Sequence, residues 1–265
     1  MALRRTQKQK LYRYIVYAVL IAIAVWVVLT ANWARLVPLF LNPEVALKMF
    51  PSIITVGLVN TVWFTVVAFI AGLIIGVALA LMKMSVIGPF RWIATIYVEL
   101  FRGLPAILTI FTIAFILPIA AGVPGKDLGG PVVLGLIGLV LVAAAYMAET
   151  IRAGLQAVPK GQTEAARSLG MSPMATTFWI VIPQGFRIII PPLTNEFVLL
   201  LKDTSLLFVA GTFIWSKELT TFARDASTQN ANGTPLIMAA LLYLIVTIPL
   251  TRFTAWLERR MARER

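Results

Sequence analysis

The chain has 265 residues, of which 60% are hydrophobic and 13% charged, and its mean hydropathy is +0.89. Because a soluble domain has about a quarter of its residues charged, this composition excludes a water-soluble protein and indicates an integral membrane protein. The sequence contains no Cys and no His, which excludes disulfides, metal sites built on Cys or His, haem ligation by His and Ser-His-Asp catalysis.

The formal net charge of +12 would also suit a nucleic-acid-binding protein. The Lys and Arg residues, however, stand in short patches between apolar runs, as the topology signals of membrane proteins do. We therefore predict a lipid bilayer as the partner and no nucleic acid.

Apolar runs along the chain predict six transmembrane helices. A helix needs about 20 apolar residues to cross a bilayer, and five charge-free runs reach that length. A sixth run, 188–214, is strongly apolar but contains Glu196, Lys202 and Asp203. The stretch 168–186 carries Ser-Pro, Thr-Thr and Pro-Gln-Gly, and we predict short interfacial helices there. The five charge-free runs are 14–34, 49–82, 103–125, 128–148 and 226–251.

The placement of Lys and Arg predicts the orientation. With the N-terminus in the cytoplasm, 16 of these residues fall in inside segments and 5 in outside segments, leaving aside Arg102 and Lys202 near membrane depth. The positive-inside rule then predicts that both termini are cytoplasmic. The first run also fits a signal peptide, but 30–33 is a poor cleavage site, and we predict a retained helix.

Small residues and charge pairs mark the helices of the predicted bundle. Gly72, Gly76 and Ala80 form a face that permits close helix packing, which favours packing within one subunit over a contact between subunits. Glu99 precedes Arg102 by three residues, a spacing that allows pairing, and 103–105 (Gly-Leu-Pro) predicts a kink or a fresh helix start. The fourth run ends in a second pair at this spacing, Glu149 and Arg152.

The segment 152–187 is the one long cytoplasmic segment of this prediction. Residues 159–161 predict a turn and 162–169 a short helix, with Ala165, Ala166 and Leu169 on one face and Glu164 and Arg167 on the other. Gly170 fits a C-terminal cap, and Ser172-Pro173 fits the start of a second short helix. By shape alone, a docking surface and a plain connector stay equally open.

The charged residues of run 188–214 need a reason, because ionisable groups at membrane depth are costly. Lys202, Asp203, Thr204 and Ser205 place a cation, an anion and two hydroxyls within one helical turn. A polar network between helices, contact with a substrate and a coupling role all stay open.

Several chemistries are missing from the sequence. There is no Gly-x-x-x-x-Gly-Lys-Ser/Thr loop, which predicts that the chain binds no ATP. The 11 Asp and Glu residues are scattered, so we predict neither an enzyme nor a metal site. Uphill transport would then take its energy from an ion gradient or from a partner.

One motif gives a family resemblance. Glu164-Ala165-Ala166, Gly170, Ile180 and Ile182-Pro183 resemble the EAA motif of bacterial ABC importer permeases, E-A-A-x3-G-x9-I-x-L-P, with Ile182 in place of Leu as the one departure. The stretches 97–105, 145–154, 159–162 and 201–206 are similar to the branch of that family that imports histidine, glutamine, glutamate/aspartate, arginine or opines. The resemblance covers about 53–258.

The resemblance implies a MetI-like fold, with a five-helix core and one additional N-terminal helix. It also implies two permease subunits, identical or paired with a relative, an ABC ATPase dimer that binds ATP and Mg, and an extracytoplasmic solute-binding protein, all at the bacterial inner membrane. Within this chain it implies no cofactor. By the same resemblance, the ATPase-coupling residues are Pro159, Gly161, Glu164, Ala165, Ala166, Gly170 and Pro183.

This family implies three parts of the chain: 1–52 with the basic N-terminus, the additional helix and an external loop, 53–258 as the permease domain, and 259–265 as a basic tail. The substrate would be a small polar amino acid, with glutamate/aspartate or glutamine preferred. A stand-alone secondary transporter is the alternative. Candidates for the translocation path or an interhelix polar network are Glu99, Arg102, Glu149, Arg152, Glu196, Lys202, Asp203, Thr204 and Ser205.

Overall fold

A computed structural model describes residues 5–211 and 216–263. Three predictions reach beyond them: Arg4 in the orientation count, residues 212–214 of the sixth run, and residues 264–265 of the basic tail lie outside the described residues.

The described part of the chain is built from helices and contains no strand. Besides α-helices, it has π-helical turns at Ile53–Leu58, Thr112–Ile116 and Thr177–Val181, and 3-10 turns at Gly125–Leu128 and Thr204–Val209. The α-helices are α1 (Arg5–Thr30), α2 (Trp33–Phe40), α3 (Pro43–Met49), α4 (Val59–Met84), α5 (Gly88–Gly103), α6 (Ala106–Phe111), α7 (Leu117–Ala121), α8 (Gly130–Gln156), α9 (Lys160–Ser168), α10 (Pro173–Thr176), α11 (Ile182–Asp203), α12 (Leu219–Asn230) and α13 (Thr234–Arg263).

Five helical stretches are long and apolar enough to cross a membrane, and a bent pair makes a sixth if it counts as one span. The all-α prediction is therefore confirmed, and the structure has the predicted six spans when the bent pair is taken as one. The five are Tyr12–Thr30, Ile53–Met84, Gly130–Gln156, Pro173–Val209 and Thr234–Met261, and the bent pair is Gly88–Gly103 with Ala106–Ala121.

The third span corrects the prediction of a run over 103–125. Its first arm begins at Gly88, and the two arms meet at an angle of 107°. Leu104 is extended at the break, with φ −91° and ψ 141°, because the ring of a following proline disfavours helical backbone. The kink expected at 103–105 is present, but the sequence interpretation left out the arm before it.

The fifth span corrects the prediction of separate interfacial helices over 168–186. Helix runs without interruption from Pro173 to Val209. The hydroxyls of Thr176 and Thr177 donate to the carbonyls of Ser172 and Pro173, each at 3.0 Å. Because a threonine that bonds back to residue i−4 satisfies its hydroxyl inside the helix, these polar residues do not end the span.

The main core lies where α4, α8 and α11 pack together. A Cβ atom on Gly72 would lie 3.1 Å from Ala143 Cβ, and one on Gly76 would lie 3.0 Å from Met147 Cβ. The small-residue face predicted for Gly72, Gly76 and Ala80 lies on α4 and packs closely against α8 within the chain.

A second, smaller core lies at one end of the bundle. Met49, Ile53, Leu219, Ala223 and Ala239 join α3, α12 and α13 there. We call α2 and α3 the collar, and this end the collar end. Residues 159–183, called the hairpin, lie at the opposite end, the hairpin end, since successive spans alternate in direction.

Candidate functional site

The hairpin is shaped by two local caps. Gly170 has φ +85°, a left-handed conformation that glycine adopts without strain. The Met171 N–H donates to the Ala166 carbonyl at 3.1 Å, and the Gly170 N–H donates to the Arg167 carbonyl at 3.0 Å, the bonding pattern of a Schellman motif. The Ser172 hydroxyl then accepts the Ala175 N–H at 3.2 Å, which starts the next helix as predicted.

The hairpin presents most of its side chains to its surroundings. Ala166 is the one buried residue of α9, whereas Glu164 and Ala165 are exposed and Leu169 is 85% exposed. The predicted apolar face of Ala165, Ala166 and Leu169 therefore packs inward at one position only. Next along the chain, Met174, Phe178 and Trp179 are also exposed, so a mixed polar and apolar surface continues from α9 into the fifth span.

Two prolines mark the ends of the hairpin. Pro159 caps α9, and Pro183 lies in the first turn of α11. Gly161 has open space around its Cβ position. A cleft of about 500 Å³ lies behind α9, lined by Leu155, Gln156, Val158, Lys160, Thr163 and Val181.

The root of the hairpin is a charge cluster and a tight helix crossing. Glu149 bonds to the Arg152 guanidinium, as predicted, and also to Lys83 Nζ at 3.0 Å. Beside this cluster, a Cβ atom on Gly154 would come within 2.3 Å of Ile189 Cγ1. These contacts join α4, α8 and α11 at the base of the hairpin.

Arg102 lies at the bend of the third span and does not pair with Glu99. Within the described residues, neither forms an ion pair, and the Arg102 guanidinium instead lies 5.3 Å from the centre of the Tyr146 ring. Cation–π contact of this kind is favourable within about 6 Å. The predicted Glu99–Arg102 pair is therefore wrong: Glu99 is exposed, and the cation turns to α8 instead.

The Glu196 carboxyl lies within electrostatic range of the Arg102 cation and of the Asp203 carboxyl. Lys202 is exposed, whereas Asp203 and Ser205 are half-buried. The structure thus brings Arg102, Glu196 and Asp203 into one electrostatic neighbourhood.

Thr204 differs from its neighbours in this group. It is fully buried, and its hydroxyl donates to the Leu201 carbonyl at 2.7 Å. Thr204 thus satisfies a carbonyl in the last turn of α11, where the α-helix passes into a 3-10 turn.

A lateral cavity of about 440 Å³ opens between α4, α8 and α11. Its lining is almost wholly apolar and includes Phe69, Leu73, Ile151, Ile190 and Phe197. Since a polar solute needs several placed polar partners in a pocket, this cavity does not suit one.

A buried carboxyl at the collar end escaped sequence reasoning. Glu218 is 0% exposed and caps α12 by accepting the N–H groups of Thr220 and Thr221, both at 2.6 Å. The Tyr243 hydroxyl lies 3.4 Å from the same carboxyl, and the Leu219 N–H donates to Thr61 Oγ1 at 2.9 Å. An acidic residue directly before Leu-Thr-Thr is an N-cap signal that could have identified it. We call Thr61, Glu218, Thr220, Thr221 and Tyr243 the Glu218 cluster.

Comparison with known proteins identifies the family. The model of the family "Binding-protein-dependent transport system inner membrane component" matches residues 72–263. The chain therefore belongs to this family of importer permeases, whose members are non-catalytic membrane subunits.

The relatives and solved structures agree. The chain is 38% identical to the probable glutamine ABC transporter permease protein GlnM of Bacillus subtilis, over 77% of this chain and 91% of that one. It is 32% identical to the glutamate/aspartate import permease protein GltK of Escherichia coli, over 78% and 92%. A crystal structure of an amino acid ABC transporter with histidines matches with a TM-score of 0.72 at 33% identity, over 81% of this chain and 96% of that one.

Proposed function

We propose that this chain couples to a separate ABC ATPase through the hairpin and carries a small polar amino acid across the bacterial inner membrane. The observation that carries the proposal is the exposure of the EAA residues. Glu164 and Ala165 face outward, while Ala166 and Gly170 fix the hairpin that presents them. Small side chains permit close approach of a partner surface, and Glu164 offers a charge to a basic partner group.

Rigid continuity gives the hairpin its mechanical role. Helix runs from Pro173 through the fifth span to Val209, so a force on α10 passes directly into the bundle, and α9 is joined to it by the short turn at 169–172. Closure of the ATPase dimer would then shift the population between inward-open and outward-open states. In this proposal ATP and Mg belong to the ATPase, and the chain itself needs no cofactor.

The translocation path lies between two permease subunits, which are two copies of this chain or this chain and a relative. Arg102, Glu196 and Asp203 supply both signs of charge, which an amino acid zwitterion requires. We place Lys202 and Ser205 beside them on the path, and assign Glu149 and Arg152 to the polar network at the hairpin root. Thr204 tightens the helix end. Glu99 is exposed on the same arm as Arg102 and stays a candidate.

Glutamine or glutamate/aspartate is the preferred substrate, and an extracytoplasmic solute-binding protein delivers it. Relatives named for glutamine and for glutamate/aspartate support this choice, and the Arg102 cation suits an acidic side chain. In the orientation set by Lys and Arg placement, both termini and the hairpin are cytoplasmic, and the collar end faces the binding protein.

The test is purification of the chain from its native membrane in mild detergent, with co-purifying proteins identified by mass. We expect an ATPase subunit at one per permease, and either one permease species or two. Purification alone, with transport retained in vesicles without ATP, would instead indicate a secondary transporter.

Variants test the docking residues. Glu164→Lys should reduce ATPase recovery while the permease still inserts, because it reverses a charge on the docking surface. Gly88→Ala is the control, since its Cβ meets nothing within 4 Å and it lies outside the hairpin. Equal ATPase recovery from both variants would refute the docking role of Glu164.

A further inference from the structure

The helix α2 is set directly on the end of the first span. α1 ends at Thr30 and α2 begins at Trp33. The Trp33 indole N–H donates to the Val28 carbonyl at 2.6 Å, and the Asn32 side chain accepts the Arg35 N–H at 3.3 Å. None of the first span's apolar window is buried against the described chain, and the 19 residues of the span are long and apolar enough to cross a bilayer. α2 therefore begins at the bilayer boundary.

The surface of α2 is apolar and exposed. None of its residues is buried, and Trp33, Leu36, Val37 and Phe40 are between 39% and 48% exposed. Their spacing of i, i+3, i+4 and i+7 places them along one stripe. Arg35 is the single charge of the helix. An apolar stripe with a Trp and a basic residue is typical of helices that lie in the headgroup region of a bilayer.

The C-terminal end of α2 grips the turn between α12 and α13. The Asn232 side chain donates to the Pro38 carbonyl at 2.8 Å, and the Gly233 N–H donates to the Leu39 carbonyl at 2.7 Å. The Phe40 ring fills the space above Gly233, where a Cβ atom would come within 2.5 Å of it. The next connection, from the Asn42 N–H to Thr234 Oγ1, measures 2.9 Å.

We propose that α2 is an interfacial helix whose stripe lies in the lipid headgroup and acyl boundary at the collar end, and that it holds the turn 231–234 at that depth. The partner of this surface is the bilayer, because the surface continues directly from a lipid-embedded span. Since the turn joins α12 to α13, the depth of α2 sets the position of α12.

The absence of Cys from the sequence makes the test clean. Single variants Leu36→Cys and Val37→Cys, carrying a nitroxide label, are placed in nanodiscs of phosphatidylethanolamine and phosphatidylglycerol. Collisions with oxygen, which concentrates in acyl chains, are compared with collisions with a water-soluble nickel complex. Glu44→Cys on α3, an exposed charged position, is the reference.

We expect oxygen collisions to dominate at 36 and 37, and nickel collisions to dominate at 44. Dominant nickel collisions at 36 and 37 would place α2 in water and overturn the proposal. Low collision rates with both agents would mean that protein covers the stripe, which also overturns it.

The contacts between the C-terminal end of α2 and the turn 231–234, which we call the clamp, are tested separately in the Val37→Cys variant. Gly233→Ala forces the Phe40 ring to move, and should shift the ratio of oxygen to nickel collisions at 37, whereas Gly88→Ala should not. Phe40→Ala removes the ring without adding bulk and should shift the same ratio even if Gly233→Ala fails to insert. An unchanged ratio in Phe40→Ala would overturn the clamp.

Discussion

One glutamate at each end of the molecule, Glu164 and Glu218, lies in an environment opposite to that of the other. At the hairpin end, Glu164 is exposed on a short helix with one buried residue, Ala166. At the collar end, Glu218 is fully buried and accepts hydrogen bonds from Thr220 and Thr221. The first carboxylate has its solvent-facing side free, and the second is enclosed by the chain itself.

Under the proposed function, this difference separates a docking surface from a structure complete in one subunit. A buried polar group left without partners costs free energy in the isolated chain, so changes at the Glu218 cluster should lower stability first. An exposed helix face gains its contacts only when a partner arrives. Changes on the hairpin surface should therefore alter assembly and leave the fold intact.

Glu218→Ala should have the largest effect on stability. It removes the cap of α12 and leaves the N–H groups of Thr220 and Thr221 without an acceptor, which costs about 3 kcal/mol. Unfolding in mixed detergent micelles, followed by circular dichroism, measures it. The matched control is Glu258→Ala on exposed α13, with a change of about 0.5 kcal/mol or less. Equal losses in both variants would remove the distinction between the two ends.

The stability of the collar end should also depend on pH. Burial raises the pKa of Glu218 above its ordinary 4.5, while hydrogen bonds from Thr221, Thr220 and Tyr243 partly oppose the rise. The folded state thus holds this proton more tightly than the unfolded state. The stability that protonated Glu218 contributes to the folded state is fully present below pH 4.5 and is lost as the pH rises through the raised pKa.

Thermal midpoints between pH 4 and 8, about the range in which a raised carboxyl titrates, measure this dependence. Glu218→Gln cannot titrate and should lack this component. Identical slopes in the wild type and Glu218→Gln would show that another group is responsible.

Gly154→Ala tests the root that joins the hairpin to the spans. The new Cβ would come within 2.3 Å of Ile189 Cγ1, and overpacking of this kind costs about 1–3 kcal/mol. The thermal midpoint should fall, whereas Gly88→Ala, with open space around it, should leave it unchanged. A neutral Gly154→Ala would mean that α8 and α11 can separate at this crossing without cost.

Gly170→Val should act on the hairpin alone. Its φ of +85° is strained for a branched side chain, at about 1–2 kcal/mol. Hydrogen exchange should become faster in α9 but not in α8. Gly170→Asn is the matched control, because Asn tolerates this conformation. Faster exchange throughout the bundle would contradict the expectation that changes in the hairpin leave the rest of the fold intact.

Lys83→Met should have the smallest effect. Lys83 and Glu149 are each about one-fifth exposed, at 19% and 22%, and Glu149 keeps its bond to Arg152. A partly solvated pair of this kind contributes at most about 1 kcal/mol. The same unfolding measurement applies. A loss of stability as large as that of Glu218→Ala would mean that the Lys83–Glu149 pair is as shielded from solvent as the Glu218 cluster.

Local signals in the sequence predicted the features that depend on neighbouring residues. The caps at Gly170 and Ser172, the Glu149–Arg152 pair and the break at 103–105 each rest on residues within one or two turns. Their energetics are set by backbone groups nearby, so pattern alone was enough.

Features that depend on distant partners were missed. The Glu218 cluster joins residues 158 positions apart through the Leu219–Thr61 bond, and Lys83 meets Glu149 from 66 positions away. Arg102 turned from the nearby Glu99 to Tyr146 on another span. No local pattern predicts which charge will find such a partner, because the packing of the spans decides it.

Uptake of labelled glutamine and glutamate by proteoliposomes tests the proposed function most directly. The vesicles contain this chain alone, or this chain with its ATPase and binding protein, each with and without ATP. We expect uptake only with all components and ATP, and loss of that uptake in Glu164→Lys. Uptake by the chain alone without ATP would contradict the coupling of this permease to an ATPase.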